Sequence, residues 1–164
     1  MEQSRKRELQ KRANLVRQGV IEATYHAKSG HPGGSLSVSD VLTYLYYVQM
    51  NVDPANPKWE DRDRLVLSKG HCCPALYSVL AQKGYFDRAQ LQKLRHVGAM
   101  LQGHPDMKTV PGVDMSSGSL GQGISAACGM AMAAKLSGKK WRTFATLGDG
   151  ELQEGQVWEA AMFA

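Results

Sequence analysis

Residues 143–150 read Thr-Phe-Ala-Thr-Leu-Gly-Asp-Gly, a short apolar run followed at once by a carboxylate between two glycines. The run Thr143–Leu147 fits a buried strand, and Arg64-Leu65-Val66-Leu67-Ser68, bounded by charge and by Gly70, fits another. Apolar runs without polar alternation suit a sheet covered on both faces, which means parallel strands linked by helices. The rest of the chain supplies those helices. Leu9, Ala13, Val16, Val20, Ala23 and Ala27 recur every three or four positions over 5–28. Pro32-Gly33-Gly34 reads as a loop, and Ser39 as the N-cap of a helix from Asp40 to about Gln49. A helical stretch with Leu76, Val79 and Leu80 stops at Gly84, and Asp87 with Gln90 makes a capping box for a short helix. Residues 98–119 are loop-rich, a small-residue helix runs from about Gln122 to Leu136, and a last one starts near Glu154. The fold class expected is α/β, a mainly parallel sheet flanked by helices, with two convincing strands.

The 164 residues suit one compact domain, burying roughly 70% of the unfolded chain's surface. With 43% hydrophobic residues, global disorder is excluded. No stretch approaches the ~18 apolar residues of a membrane span, so no membrane partner is expected. The segment Met1–Arg12 has no apolar signal core, so a cytoplasmic location is expected. The net charge is +5, and Arg5, Lys6, Arg7, Lys11, Arg12 and Arg17 crowd the first helix. No aromatic is interleaved between Arg5 and Arg17, which argues against nucleic acid and for a solvated face. Cys72, Cys73 and Cys128 form neither a CxxC pair nor an even set, so they read as reduced thiols.

Three of the five histidines lie in glycine- or proline-marked loops: Ser29-Gly30-His31-Pro32-Gly33, Ser68-Lys69-Gly70-His71 and Gly103-His104-Pro105-Asp106. His71 closely follows a strand, and ligands of α/β sheets gather at the strands' carboxyl ends. His26 and His96 lie in helical stretches and read as structural. Gly118-Ser119-Leu120-Gly121-Gln122-Gly123 leads into a helix. Its spacing is neither the dinucleotide fingerprint nor a Walker loop. A backbone approach to a ligand and a close-packed turn explain it equally well. Asp149, at the tip of a strand, reads either as a ligand for magnesium on a diphosphate or as a capping residue.

Together the stretches SGHPGG (29–34), SKGH (68–71), GHPD (103–106), SSGSLGQG (116–123) and LGDGELQEGQVWEA (147–160) resemble the N-terminal part of the transketolase family. The match runs in the family's order from about residue 12. The resemblance implies the diphosphate-binding part of a thiamine enzyme, incomplete at its C-terminal end. The implied activity is transfer of a two-carbon ketol unit from a ketose phosphate to an aldose phosphate, as in the pentose phosphate pathway. The implied cofactors are thiamine diphosphate and Mg2+ (or Ca2+ or Mn2+). Asp149 would hold the metal, with Gly150 and Glu151 at the diphosphate. His31 and His71 would assist proton transfers, His71 also lying near the diphosphate. His104 would meet the donor's hydroxyls, and Gly118 and Leu120 would line the coenzyme's rings. Glu154 would sit at a dimer interface.

Only 15 residues follow Asp149, so the family's second metal-ligand position and its pyrimidine-binding domain are expected outside these residues. The implied partners are therefore sugar phosphates, a second copy, and a C-terminal subunit carrying that domain. The 164 residues alone are expected to be inactive. The alternatives are a deoxyxylulose-phosphate synthase-like enzyme, a 2-oxoacid dehydrogenase component, or an inactive fragment.

Overall fold

The computed structural model describes residues 2–164, which group into two compact units: 2–50 with 71–103, and 51–70 with 104–164. In the first unit, α1 (Gln3–Ala27) buries Leu9, Ala13, Val16, Val20 and Ala23, the stripe its sequence period predicts. It packs on α2 (Pro32–Tyr44) and α3 (Cys73–Lys83). The α1–α3 approach is close because position 19 is glycine: a Cβ there would lie 2.1 Å from Ser78 Oγ. That hydroxyl donates to the Val16 carbonyl at 3.0 Å, so its polar group is satisfied inside the core.

The second helix corrects the sequence reading. It begins at Pro32, and Ser39 lies inside it as a buried residue rather than at its N-cap. Proline at the first helical position has its φ already set, and its missing N–H costs nothing there. The hydroxyls of Ser35, Ser39 and Thr43 donate to the carbonyls of His31, Ser35 and Ser39, each four residues back, at 2.8, 2.9 and 2.7 Å. Such back-bonding lets a serine-rich face be buried. The helix continues as a π-helical turn, Leu45–Gln49. The segment after Asp87 also differs: Arg88–Lys93 is a 3-10 turn, capped one way by the Asp87 carboxylate accepting from Ala89 N–H at 2.8 Å.

In the second unit, β1 (Arg64–Leu67) and β2 (Thr143–Thr146) pair in parallel, Arg64 opposite Thr143 and Leu67 opposite Thr146. Leu65, Val66 and Leu67 are buried, whereas β2 is half-buried throughout and has one strand neighbour. The buried Asp63 pins the entry to both strands. It accepts from Asn51 N–H at 2.9 Å, Arg142 N–H at 2.6 Å and the Arg142 guanidinium at 2.7 Å. Two helices accompany the sheet: α4 (Gln122–Leu136), with the bounds expected, and α5 (Gly155–Phe163). Gly123 lets the start of α4 sit against the end of β1, since a Cβ there would be 2.6 Å from Ser68 Cα.

Candidate functional site

In the first unit, the link between α1 and α2 delivers His31. Lys28 closes α1 in the left-handed conformation, and His31 precedes Pro32 as the exposed N-cap residue of α2. His71 lies in the 3-10 turn Gly70–Cys72 that leads into α3. The two rings meet edge to face, 5.1 Å between centroids at 66°. Gly34 makes room beneath them: a Cβ there would lie 2.7 Å from Cys72 Sγ and 3.9 Å from His71 Nε2. Two of the histidines picked out by sequence are thus neighbours. The adjacent Cys73 is a different kind of group. Burial pushes its thiol up to about 12, and Sγ donates to the Gly103 carbonyl at 3.2 Å.

In the second unit, the glycine-rich loop and the ends of both strands are tied by one side chain. Glu151 is 2% exposed. Its Oε1 accepts from Ser68 Oγ at 2.5 Å and Gly121 N–H at 3.0 Å, and its Oε2 accepts from Gly148 N–H at 2.9 Å. Ser68 follows β1, Gly121 precedes α4 and Gly148 follows β2. A buried carboxylate without an ion pair is tolerable when charge-assisted donors surround it. Glu151 was expected at the diphosphate, but its carboxylate is spent on the chain's own donors. The local signal for this knot is faint, because Ser68 and Gly121 lie 83 and 30 positions from Glu151.

His104 packs against Gly118: a Cβ at 118 would lie 3.0 Å from His104 Cδ2. Gly70 approaches the same loop, since a Cβ there would be 2.8 Å from Gly118 N. Ser117 Oγ donates to the Leu67 carbonyl at 2.6 Å. Leu120 is 37% exposed beside this turn.

Asp149 begins the 3-10 turn Gly150–Gln153 with helical backbone, exposed, its carboxylate making no capping bond. Asp149 thus stands at the N-cap position while its side chain caps nothing. Gly150 is open, with nothing within 4 Å of a Cβ position. Among the described residues no three His, Cys, Asp or Glu side chains cluster as a metal site. Magnesium on a diphosphate takes one or two carboxylates and fills the rest with phosphate and water. The uncommitted oxygens of Asp149 beside an open glycine fit that demand as one ligand. Glu154 is the exposed N-cap of α5, its Cβ 2.9 Å from where Gly121 would carry one.

A family model described as "Transketolase, thiamine diphosphate binding domain" matches residues 9–164. The chain belongs to the transketolase family. It is 52% identical over 157 residues to the 6-deoxy-6-sulfo-D-fructose transketolase subunit SqwG of Clostridium sp. (strain MSTE9), covering 96% of this chain and 57% of that protein. It is 47% identical over 155 residues to an apulose-4-phosphate transketolase subunit of Phocaeicola vulgatus, covering 94% and 54%. Against human transketolase the figures are 43% identity, 99% and 26%. The chain thus spans about half the length of the two bacterial subunits. A Campylobacter jejuni transketolase crystal structure superposes with a TM-score of 0.89 at 38% identity, over 95% of this chain and 26% of that one. A Pichia stipitis transketolase variant gives 0.91 at 36% identity, over 95% and 25%. The fold is that of a thiamine-diphosphate-binding α/β protein. These transketolase relatives favour a transketolase component over the synthase-like and dehydrogenase alternatives.

Proposed function

We propose that this chain is the diphosphate-binding part of a cytoplasmic transketolase that moves a two-carbon ketol unit from a ketose phosphate to an aldose phosphate. The observation that carries the reading is the uncommitted Asp149 carboxylate between Gly148 and Gly150, in a chain matched over residues 9–164 to a thiamine diphosphate binding domain. Asp149 takes the magnesium ion, and the backbone of Gly150 comes against the diphosphate. Glu151 serves the same end indirectly by holding Gly121 and Gly148 in place. Gly118 and Leu120 line the coenzyme's rings. His104 hydrogen-bonds the donor's hydroxyls, and the ring nitrogens of His31 and His71 assist proton transfers, a task suited to histidine. Bound thiamine diphosphate supplies the carbon nucleophile and the electron sink that breaking a ketose carbon–carbon bond requires. The pyrimidine-binding domain comes from outside these 164 residues, as the names of two relatives, each called a transketolase subunit, suggest, and Glu154 lies where two copies meet.

Calorimetry with thiamine diphosphate and Mg2+ tests the assignment on the assembled enzyme. Asp149→Ala should weaken binding by at least tenfold while leaving thermal stability unchanged, because the carboxylate supports no internal bond. Equal affinity in the variant would remove Asp149 from the metal site. The 164-residue chain alone should show no ketol transfer, because the second metal-ligand position and the pyrimidine-binding domain lie outside these residues. Turnover by the chain alone would refute the need for a partner.

A further inference from the structure

Arg95 has a backbone at odds with its side chain. Its φ is +62°, and among the described residues it shares positive φ outside glycine with Lys28 alone. Lys28 is the C-cap of α1, where this conformation commonly ends a helix. Arg95 directly follows Leu94, the C-cap of the 3-10 turn Arg88–Lys93, and the left-handed region disfavours any residue with a Cβ. Glycine would sit there without strain. An arginine held in that conformation points to a use for its side chain.

That use is visible. The Arg95 N–H donates to the Leu101 carbonyl at 2.8 Å, which fixes the turn. Nη1 donates to Ser29 Oγ at 2.7 Å. The rest of the guanidinium covers Gly103, with Nε, Cζ and Nη2 lying 3.0, 3.2 and 3.3 Å from where a Cβ would stand. The planar group is thus wedged against a backbone with no side chain in its way. Ser29 stands two residues before His31, with Gly30 between them at φ +135°. Glycine is the most permissive of hinges, so without a hold on Ser29 the chain entering His31 is free to turn. Beyond it, Ser35 Oγ grips the His31 carbonyl from inside α2.

We propose that Arg95 is a positioning residue: by holding Ser29 it fixes the chain that enters His31, and so sets the His31 ring against His71. The inference rests on the proton-handling role proposed for His31. It adds a residue that acts on His31 through Ser29.

The test uses the assembled transketolase with Arg95→Gly, Arg95→Lys and Ser29→Ala, each also combined with His31→Ala. Arg95→Gly removes the wedge while relieving the backbone, so its Tm should not fall below the natural protein's. Its kcat should fall about tenfold to hundredfold with KM held, the scale expected when a reacting group is misplaced by about 1 Å. Arg95→Lys, which can reach Ser29 without covering Gly103, should recover part of the loss. In the His31→Ala background none of the three should cost more. Histidine ring signals in the NMR spectrum supply a reading independent of turnover: Arg95→Gly should move those of His31 and leave those of His26 in place. Unmoved His31 signals, an unchanged kcat, or an equal loss without His31 would overturn the proposal. If the natural enzyme shows no ketol transfer, the functional reading fails, and the ring signals still decide whether Arg95 positions His31.

Discussion

Glu151→Gln is a sensitive perturbation of the knot that joins both strand ends to α4. The substitution keeps shape and volume but replaces one acceptor oxygen with an NH2 donor. In the natural protein Oε1 serves Ser68 Oγ and Gly121 N–H, and Oε2 serves Gly148 N–H. Glutamine can keep its oxygen at the first position, facing two donors, which leaves its NH2 facing the Gly148 N–H. The reverse orientation strands Gly121 instead, since the Ser68 hydroxyl can rotate and a backbone N–H cannot. Either way one charge-assisted hydrogen bond is lost, worth about 1.5–3 kcal/mol, and a buried donor is left unpaired at a cost of about 1–3 kcal/mol. Allowing for relaxation, the net loss should be about 3 kcal/mol, or a factor of about 100 in local opening. Urea unfolding should show a lower midpoint with an unchanged slope. Amide hydrogen exchange should show Gly121 and Gly148 losing protection together. Glu159→Gln, exposed on α5, is the control and should stay within about 0.5 kcal/mol. A Glu151→Gln protein as stable as the natural one, with both amides still protected, would show that the three bonds do not hold these loops.

Gly34→Ala should cost about 1–3 kcal/mol, because its methyl would arrive 2.7 Å from Cys72 Sγ; adding Cys72→Ala should recover part of that in thermal unfolding, and no recovery would point to another clash. Cys73, held as a thiol by burial, should resist iodoacetamide at pH 8 in the folded protein and react after unfolding, as mass spectrometry would read; labelling in the folded state would contradict the burial. Burial works to raise the Asp63 pKa, but hydrogen bonds from the Arg142 guanidinium and from the N–H groups of Asn51 and Arg142 outweigh it and hold the carboxyl below its usual range. Its contribution is therefore present above about pH 4 and disappears as pH falls through the lowered value, so Asp63→Asn should lower stability at pH 7 and flatten the acid limb of a stability–pH curve; an unchanged acid limb would refute the pairing.

The strands and α4 were legible because their signals are local. Leu65-Val66-Leu67 has no polar alternation, and Gln122–Leu136 ends at a serine–glycine pair. The glycine-marked histidines were equally legible, and His31 and His71 do meet. The start of α2 was not. Pro32-Gly33-Gly34 has the composition of a loop, and it forms a first helical turn in which Gly34 lies against Cys72, far along the chain. The same limit hid Glu151 and Arg95. Glu151 holds Gly121 and Ser68, 30 and 83 positions away, and Arg95 holds Ser29, 66 positions away, and no spacing rule on one sequence reaches those partners. Asp149 differs again: the sequence offered it as a cap, and only the structure shows that its carboxylate makes no capping bond.

The parallel register of β1 with β2 also bears on how this protein is made. Asp63 and Arg142, which pin the strand entries, stand 79 positions apart. Bringing such distant ends together costs about 4 kcal/mol of chain entropy, and no turn between neighbours offsets it. On the ribosome, β1 emerges long before its mate and must wait with an open, hydrophobic edge. Synthesis of this chain should therefore lean on chaperones between those two moments, and slowing elongation there should favour aggregation over assembly.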